Sequence, residues 1–149
     1  WKEPVGILRC FRGIATLTAM SLVTEVEDFR RFSHPRKFMS YLGLTASEYS
    51  SGSQRHQGGI TKTGNKHLRR LLIEAAWHAR HKPNVGERLA KIRQGKPEWI
   101  VRLTDKAMER LYRRYHRLLA RGKHKYKVVT AIAREMAGFI WASQVHQAE

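Results

Sequence analysis

Residues 41–70 read YLGLTASEYSSGSQRHQGGITKTGNKHLRR, and the chain is organised on either side of them. The stretch opens on the apolar end of one helical pattern, Phe38, Met39, Tyr41 and Leu42, which stops at Gly43, a residue suited to closing a helix. It ends at Gly64-Asn65, where Asn65 is placed to cap a second helix. Between them runs a loop from Thr45 to Gly64, longer than most connections in compact domains; loops of that length carry function or are disordered. A short β-hairpin around Gly58-Gly59 fits inside it. Ser50, Ser51 and Ser53 flank Gly52, where a backbone without a side chain lets a ligand come close. The loop carries Arg55, His56 and Lys62 with no acid after Glu48, and the next helix opens with Lys66, His67, Arg69 and Arg70. Unpaired N–H groups, the positive end of the helix dipole and these cations converge on an anion, most simply a phosphate.

The charge extends outward from this point. Between Ser51 and Lys82, seven Lys and Arg residues oppose only Glu74, and the whole chain carries a formal net charge of +17. A field that strong on 149 residues points to nucleic acid, DNA or RNA, held by phosphate neutralisation; a solvated basic surface or a ribosomal-type protein is the competing reading. The length fits one domain, and 42% hydrophobic residues suffice for a core. The single Cys10 forms no internal disulfide, which fits a reducing cytoplasm. No apolar run approaches the ~18 residues of a membrane span. The first residue is Trp1, so the chain is read as a fragment, and the lack of a leader peptide carries no information.

Helical periodicity fills the remainder. Residues 1–10 form one pattern with Val5, Leu8 and Cys10 as core positions, broken at Phe11-Arg12-Gly13-Ile14; a second runs from Ala15 to Val26, with Leu17, Met20, Val23 and Thr24 on one face. Helix, glycine turn, helix is the outline of a helix-hairpin-helix, met only in part because Arg12 and Ala15 stand where that motif prefers Pro and Gly; a plain packing unit is the alternative. Phe29 and Phe32 plug the core while Arg30 and Arg31 face out, and Ser33 or His34 caps a short helix with Pro35 in its first turn. After the loop, Leu68, Leu71, Leu72, Ala75 and Ala79 form a stripe that Pro83 ends. Asn84 caps a short helix through Val85, Leu89 and Ile92. A long helix follows from Pro97 to about Arg121, apolar along Trp99, Leu103, Ala107, Leu111, Tyr115 and Leu118 and basic along Arg102, Lys106, Arg110, Arg113, Arg114 and Arg117. Residues 123–127 read as a basic linker, and Val128 to Trp141 as a buried core helix. The expected fold is all-α: a helical domain with a partial helix-hairpin-helix and one long glycine-rich loop.

The chemistry this composition supports is narrow. A two-metal nuclease needs converging carboxylates, and between Phe29 and Ile73 the only acid is Glu48; Glu25, Glu27 and Asp28 do not face one way at helical spacing. One Cys and scattered histidines offer no zinc spacing, so no metal site is assigned. A serine hydroxyl attacking phosphorus fits better: one phosphodiester replaces another, no nucleotide cofactor is needed, and cations with a helix start neutralise the phosphoryl oxygens. No residue is placed as general base, His56 being the nearest. Serines beside glycine are most often turn formers, and Tyr49 is a rival nucleophile whose apolar neighbours suggest an aromatic plug.

Tyr41-Leu42-Gly43-Leu44-Thr45, Glu48-Tyr49-Ser50-Ser51-Gly52 and Gly59-Ile60-Thr61-Lys62-Thr63-Gly64-Asn65 resemble the C-terminal (Tnp) domain of bacterial insertion-sequence transposases of the IS one-ten family, the bridge-RNA-guided serine recombinases. The resemblance runs from Gly13 through the loop to the helix holding Ala131 to Glu135. It implies that residues 1–149 are the C-terminal catalytic domain and that Ser51, just before Gly52, is the nucleophile. It also implies that an N-terminal RuvC-like domain binding Mg²⁺ lies outside this chain, and that the active site is shared between protomers. DNA, a non-coding guide RNA and a second copy are the implied partners, with no membrane. Phosphate-holding roles for Arg55, Lys62, Lys66, Arg69 and Arg70, and structural roles for Gly52, Gly64 and Asn65, rest on charge and helix position alone. The alternative is a basic helical module that binds DNA or RNA and cuts nothing.

Overall fold

The computed structural model describes residues 1–51, 54–60 and 64–146, with backbone alone over 46–60. Seven helices form the body: α1 (Lys2–Leu8), α2 (Thr16–Val26), α3 (Pro35–Tyr41), α4 (Lys66–Ala76), α5 (Glu87–Arg93), α6 (Glu98–Ala120) and α7 (Lys125–Val145). Short 3₁₀ turns at Phe29–Arg31 and Trp77–Arg80 link α2 to α3 and extend α4. α7 is the central post: α1, α3, α4 and α6 all pack on it, through Val128, Ile132, Met136 and Ile140 among others. Leu68 and Leu72 of α4 are fully buried, and each contributes roughly 1.5–3 kcal/mol of apolar transfer. Phe29, Phe32, Phe38 and Tyr41 form an aromatic cluster beneath the loop, with ring centroids 5.2–6.3 Å apart. The Arg31 guanidinium lies over Phe32 and Tyr41.

The helical expectation holds, and the only described strands lie inside the long loop. β1 (Ala46–Ser51) and β2 (Gln54–Ile60) form an antiparallel hairpin whose last pair is Ser51 with Gln54. The register shifts between Ala46 and Glu48, so Gly58 and Gly59 stand where β2 has one residue more than β1. Glycine suits such a bulge, and this glycine pair therefore bends the second strand instead of turning the hairpin. Gly52, Ser53 and Lys62 lie outside the described residues.

Three local expectations are corrected. On α2 the buried face is Ala19, Leu22, Val23 and Val26, while Leu17 is 73% exposed and Met20 38%. The helix is apolar over much of its circumference, so periodicity alone did not select the face that meets α1 and α4. α5 starts at Glu87 with Gly86 as its cap, and Asn84 and Val85 stay exposed before it. Most of the expected basic linker is the first turn of α7: His124 caps that helix by accepting the Tyr126 N–H at 3.3 Å. His34 caps α3 in the same way, accepting from Arg36 N–H at 3.1 Å with Pro35 at the first helical position.

Candidate nucleic-acid interface at the start of α4

The hairpin returns to the body at Gly64, whose φ of +85° is a conformation that glycine adopts readily. A Cβ at this position would lie 2.0 Å from the Tyr41 carbonyl oxygen. That same oxygen accepts the Asn65 N–H at 2.9 Å, which stitches the end of α3 to the beginning of α4. Asn65 then caps α4 as expected: its side-chain oxygen accepts the Leu68 N–H at 2.9 Å.

The other half of the Asn65 amide is also committed. Nδ2 donates to Glu25 Oε1 at 3.0 Å and to the Tyr41 hydroxyl at 3.2 Å. The second oxygen of Glu25 lies 2.6 Å from His67 Nδ1. One carboxylate from α2 therefore fixes the N-cap and the second residue of α4. In the sequence, Glu25 shows only as a member of an acidic group and His67 only as a cation. Partners separated by 40 and 42 positions leave no local signal. Asp28 is occupied elsewhere, accepting from Arg30 at 2.9 Å (backbone) and 3.1 Å (side chain), which holds its carboxyl below the usual range. Glu25 and Asp28 thus serve separate partners. Among the described residues no group of three His, Cys, Asp or Glu is placed to hold an ion.

Lys66 and Arg70 are exposed and one turn apart on α4, so their charges lie on one face near its positive end. Arg69 is half-buried, with Nη1 3.5 Å from the Leu42 carbonyl oxygen. Arg55 stands in β2 opposite Ser50, and Ser51 closes the ladder of β1. At ~3.3 Å per residue, Ser51 is carried roughly 16 Å along the strand from Ala46 at the hairpin's foot. Ser51 and the α4 cations therefore belong to opposite ends of the hairpin. The basic face of α6 is partly neutralised within the fold: Arg110 and Arg114 both pair with Glu135 of α7, Arg113 with Glu109 and Arg102 with Glu98. Arg12, in the expected helix-hairpin-helix turn, donates to the carbonyls of Lys82 at 2.6 Å and His81 at 3.0 Å. No described helix is long and apolar enough to cross a membrane.

The chain is 44% identical over 138 residues to a putative transposase, y4qE, of Sinorhizobium fredii (strain NBRC 101917 / NGR234), an alignment covering 93% of this chain and 35% of that protein. It is 36% identical over 130 residues to the transposase for insertion sequence element IS1533 of Leptospira borgpetersenii, covering 85% of this chain and 37% of that one. A shorter match, 39% identical over 64 residues, is to the transposase for insertion sequence element IS1111A of Coxiella burnetii (strain RSA 493 / Nine Mile phase I), covering 43% of this chain and 18% of that protein. The chain thus spans about a third of the length of the first two relatives. Residues 6–90, from the last turn of α1 through α2, α3, the hairpin and α4 into α5, match the profile of the transposase IS116/IS110/IS902 family, and the chain belongs to that family.

Proposed function

We propose that this chain is the nucleophile-bearing, C-terminal domain of a DNA transposase that cuts and rejoins strands through Ser51. The observation that carries the reading is the family match over 6–90 combined with the position of Ser51 at the last pair of the hairpin, beside Gly52. The Ser51 hydroxyl attacks the phosphorus of a DNA phosphodiester and its proton passes to a base. The P–O bond to one strand end breaks, that oxygen leaves as a protonated hydroxyl, and a phosphoserine ester holds the other end. Rejoining is the reverse step, with a different strand's hydroxyl attacking and the serine hydroxyl regenerated. One ester is exchanged for another at each stage, so no nucleotide cofactor enters.

The hairpin's length divides the supporting roles. Arg55 accompanies Ser51 on the hairpin, while Lys66, Arg69 and Arg70 grip backbone phosphates near the hairpin's foot, where the α4 start adds its dipole; Lys62 is a further phosphate contact on this reading. Gly64 and Asn65 fix the angle at which the hairpin leaves the body. On this reading the Mg²⁺-binding carboxylates belong to an N-terminal RuvC-like domain outside this chain, and a guide RNA and a second protomer are the further partners.

The test is a covalent adduct. Full-length protein incubated with an insertion-element end and quenched in denaturant is digested and mapped by mass spectrometry. The expected adduct is a nucleotide on Ser51, absent in Ser51→Ala, which still binds DNA. Strand exchange that persists in Ser51→Ala would discard the serine mechanism in favour of a module that binds without cutting.

A further inference from the structure

A second basic feature lies away from the hairpin. Between the turn after α1 and the segment 84–92 is a cavity of about 340 Å³. Its apolar lining is Phe11, Ile14, Leu89 and Ile92, and its polar lining includes Arg9, Arg12, His78, Arg88 and Asn84; among the described residues no acid borders it. The Arg12 guanidinium is a fixed wall, held by the His81 and Lys82 carbonyls. Nε of Arg9 is buried without a hydrogen-bond partner, a state that costs free energy until an acceptor arrives. Arg88 is exposed at the rim. Ala15, the N-cap of α2, also lines the cavity and has no side chain to satisfy the first N–H groups of that 11-residue helix. A second cavity of about 400 Å³ shares Arg9, Arg88 and Ile92 and adds Lys91 and Glu87, so the basic rim continues as a shelf.

We propose that this cavity takes one unpaired nucleotide of a nucleic-acid strand, its heterocycle on the apolar floor and its phosphate against Arg9, Arg88 and the start of α2. Cations alone would suit any phosphate, and an apolar floor alone any hydrophobe; together they select a flat apolar ring carrying a phosphate. The volume is at the low end of small-molecule sites, ~300–1,000 Å³, which admits one nucleotide and not a base pair. Unpaired bases are commonly bound this way, on apolar or guanidinium surfaces beside a basic track for the backbone. DNA and RNA share this chemistry. The site needs neither Ser51 nor the hairpin.

The experiment is photo-cross-linking of the full chain to single-stranded oligonucleotides carrying 5-iododeoxyuridine (DNA arm) or 4-thiouridine (RNA arm), with adducts mapped by mass spectrometry. Binding of the same strands and of a matched duplex is followed by anisotropy. The expected adducts fall on peptides holding Phe11 or His78, and whichever arm yields them identifies the strand. The exposed variant Arg88→Glu is expected to weaken single-strand binding about tenfold and to lower the slope of log Kd against log salt by about one, with less effect on the duplex. Leu89→Glu, which places a carboxylate on the floor, should abolish the Phe11 and His78 adducts. Ser51→Ala should give the same adducts as the parent, which separates this site from the strand-cleavage reading. Adducts confined to α4 or α6, or equal losses of single-strand and duplex binding in Arg88→Glu, would overturn it.

Discussion

Replacing Gly64 by alanine tests whether the hairpin is held at its foot by backbone geometry. Three effects add. An L-residue at φ +85° costs about 1–2 kcal/mol. The new Cβ would sit 2.0 Å from the Tyr41 carbonyl oxygen, so that oxygen must withdraw and its 2.9 Å bond from Asn65 N–H is lost, about 1 kcal/mol. Movement of Asn65 then spoils the cap on α4, about 1 kcal/mol more. The expected loss is about 3–4 kcal/mol, equivalent to roughly 10 °C in Tm for a chain of this size. The structure supplies its own controls. Gly95 and Gly122 also have positive φ, +78° and +83°, but nothing lies within 4 Å of a Cβ there, so their alanine variants report the backbone conformation alone, about 1 kcal/mol. Gly86 has φ −75° and open space, so Gly86→Ala should be neutral or slightly stabilising. Gly13, where a Cβ would meet the Ala75 carbonyl at 2.8 Å, should fall between the groups. Urea unfolding of the five variants with unchanged m values ranks them directly. A Gly64→Ala variant no less stable than Gly122→Ala would show that the stitch between α3 and α4 is not what secures the hairpin.

Further outcomes follow from other contacts. Glu25→Ala should cost about 1–2 kcal/mol in the same unfolding assay, because Asn65 keeps the Tyr41 hydroxyl while His67 loses its carboxylate partner; a double variant with His67→Ala should be less than additive. Leu22→Ala should cost about 2–4 kcal/mol and Leu17→Ala less than about 0.5, which would reverse if α2 were turned to the other face. His78 is held below its ordinary value of 6.5, first by burial and then by Arg12, His81 and Arg80. The unfolded chain therefore takes up this proton at a higher pH than the native one. The His78 contribution is full above about pH 6.5 and is lost as the pH falls towards the lowered native value, so His78→Gln should flatten the acid side of a Tm-against-pH curve.

How much of this could be read from residue order depends on the range of each interaction. The α4 stripe was legible because its apolar positions recur at helical spacing against strongly polar neighbours, and Leu68, Leu72, Ala75 and Ala79 are indeed buried. The Asn65 cap was legible because N-capping is local. α2 misled because apolar residues surround much of it; only packing against α1 and α4 decides between Leu17 and Leu22. Lys125 and Lys127 suggested a linker by charge, yet as the exposed first turn of α7 they have no burial to oppose their charge, and His124 caps them. The Glu25–Asn65–His67 network was invisible because it joins α2 to α4 across the loop. The proposal for Ser51 rests on family resemblance, since nothing in a Ser-Gly pair distinguishes a nucleophile from a turn.

The same reasoning limits what the charge of +17 does on nucleic acid. Arg12 braces the carbonyls after Ala79, Arg93 is buried between the Cys10 carbonyl and Asp105, and Arg110 with Arg114 is anchored on Glu135. These guanidiniums hold helices together, and bringing a phosphate to them would first break native contacts. The exposed cations at the two candidate contact surfaces, Lys66 and Arg70 on α4 and Arg88 and Lys91 on α5, form two separate groups. Each phosphate neutralised contributes about −0.7 to −0.9 to the slope of log K against log salt. These four together contribute about −3 to −4, far shallower than the net charge would give. Charge reversal within either group should remove its own share and leave the other's intact. A steeper slope would mean that other exposed cations, such as Lys106 and Arg117 on α6 or Lys125 and Lys127 on α7, also meet phosphate.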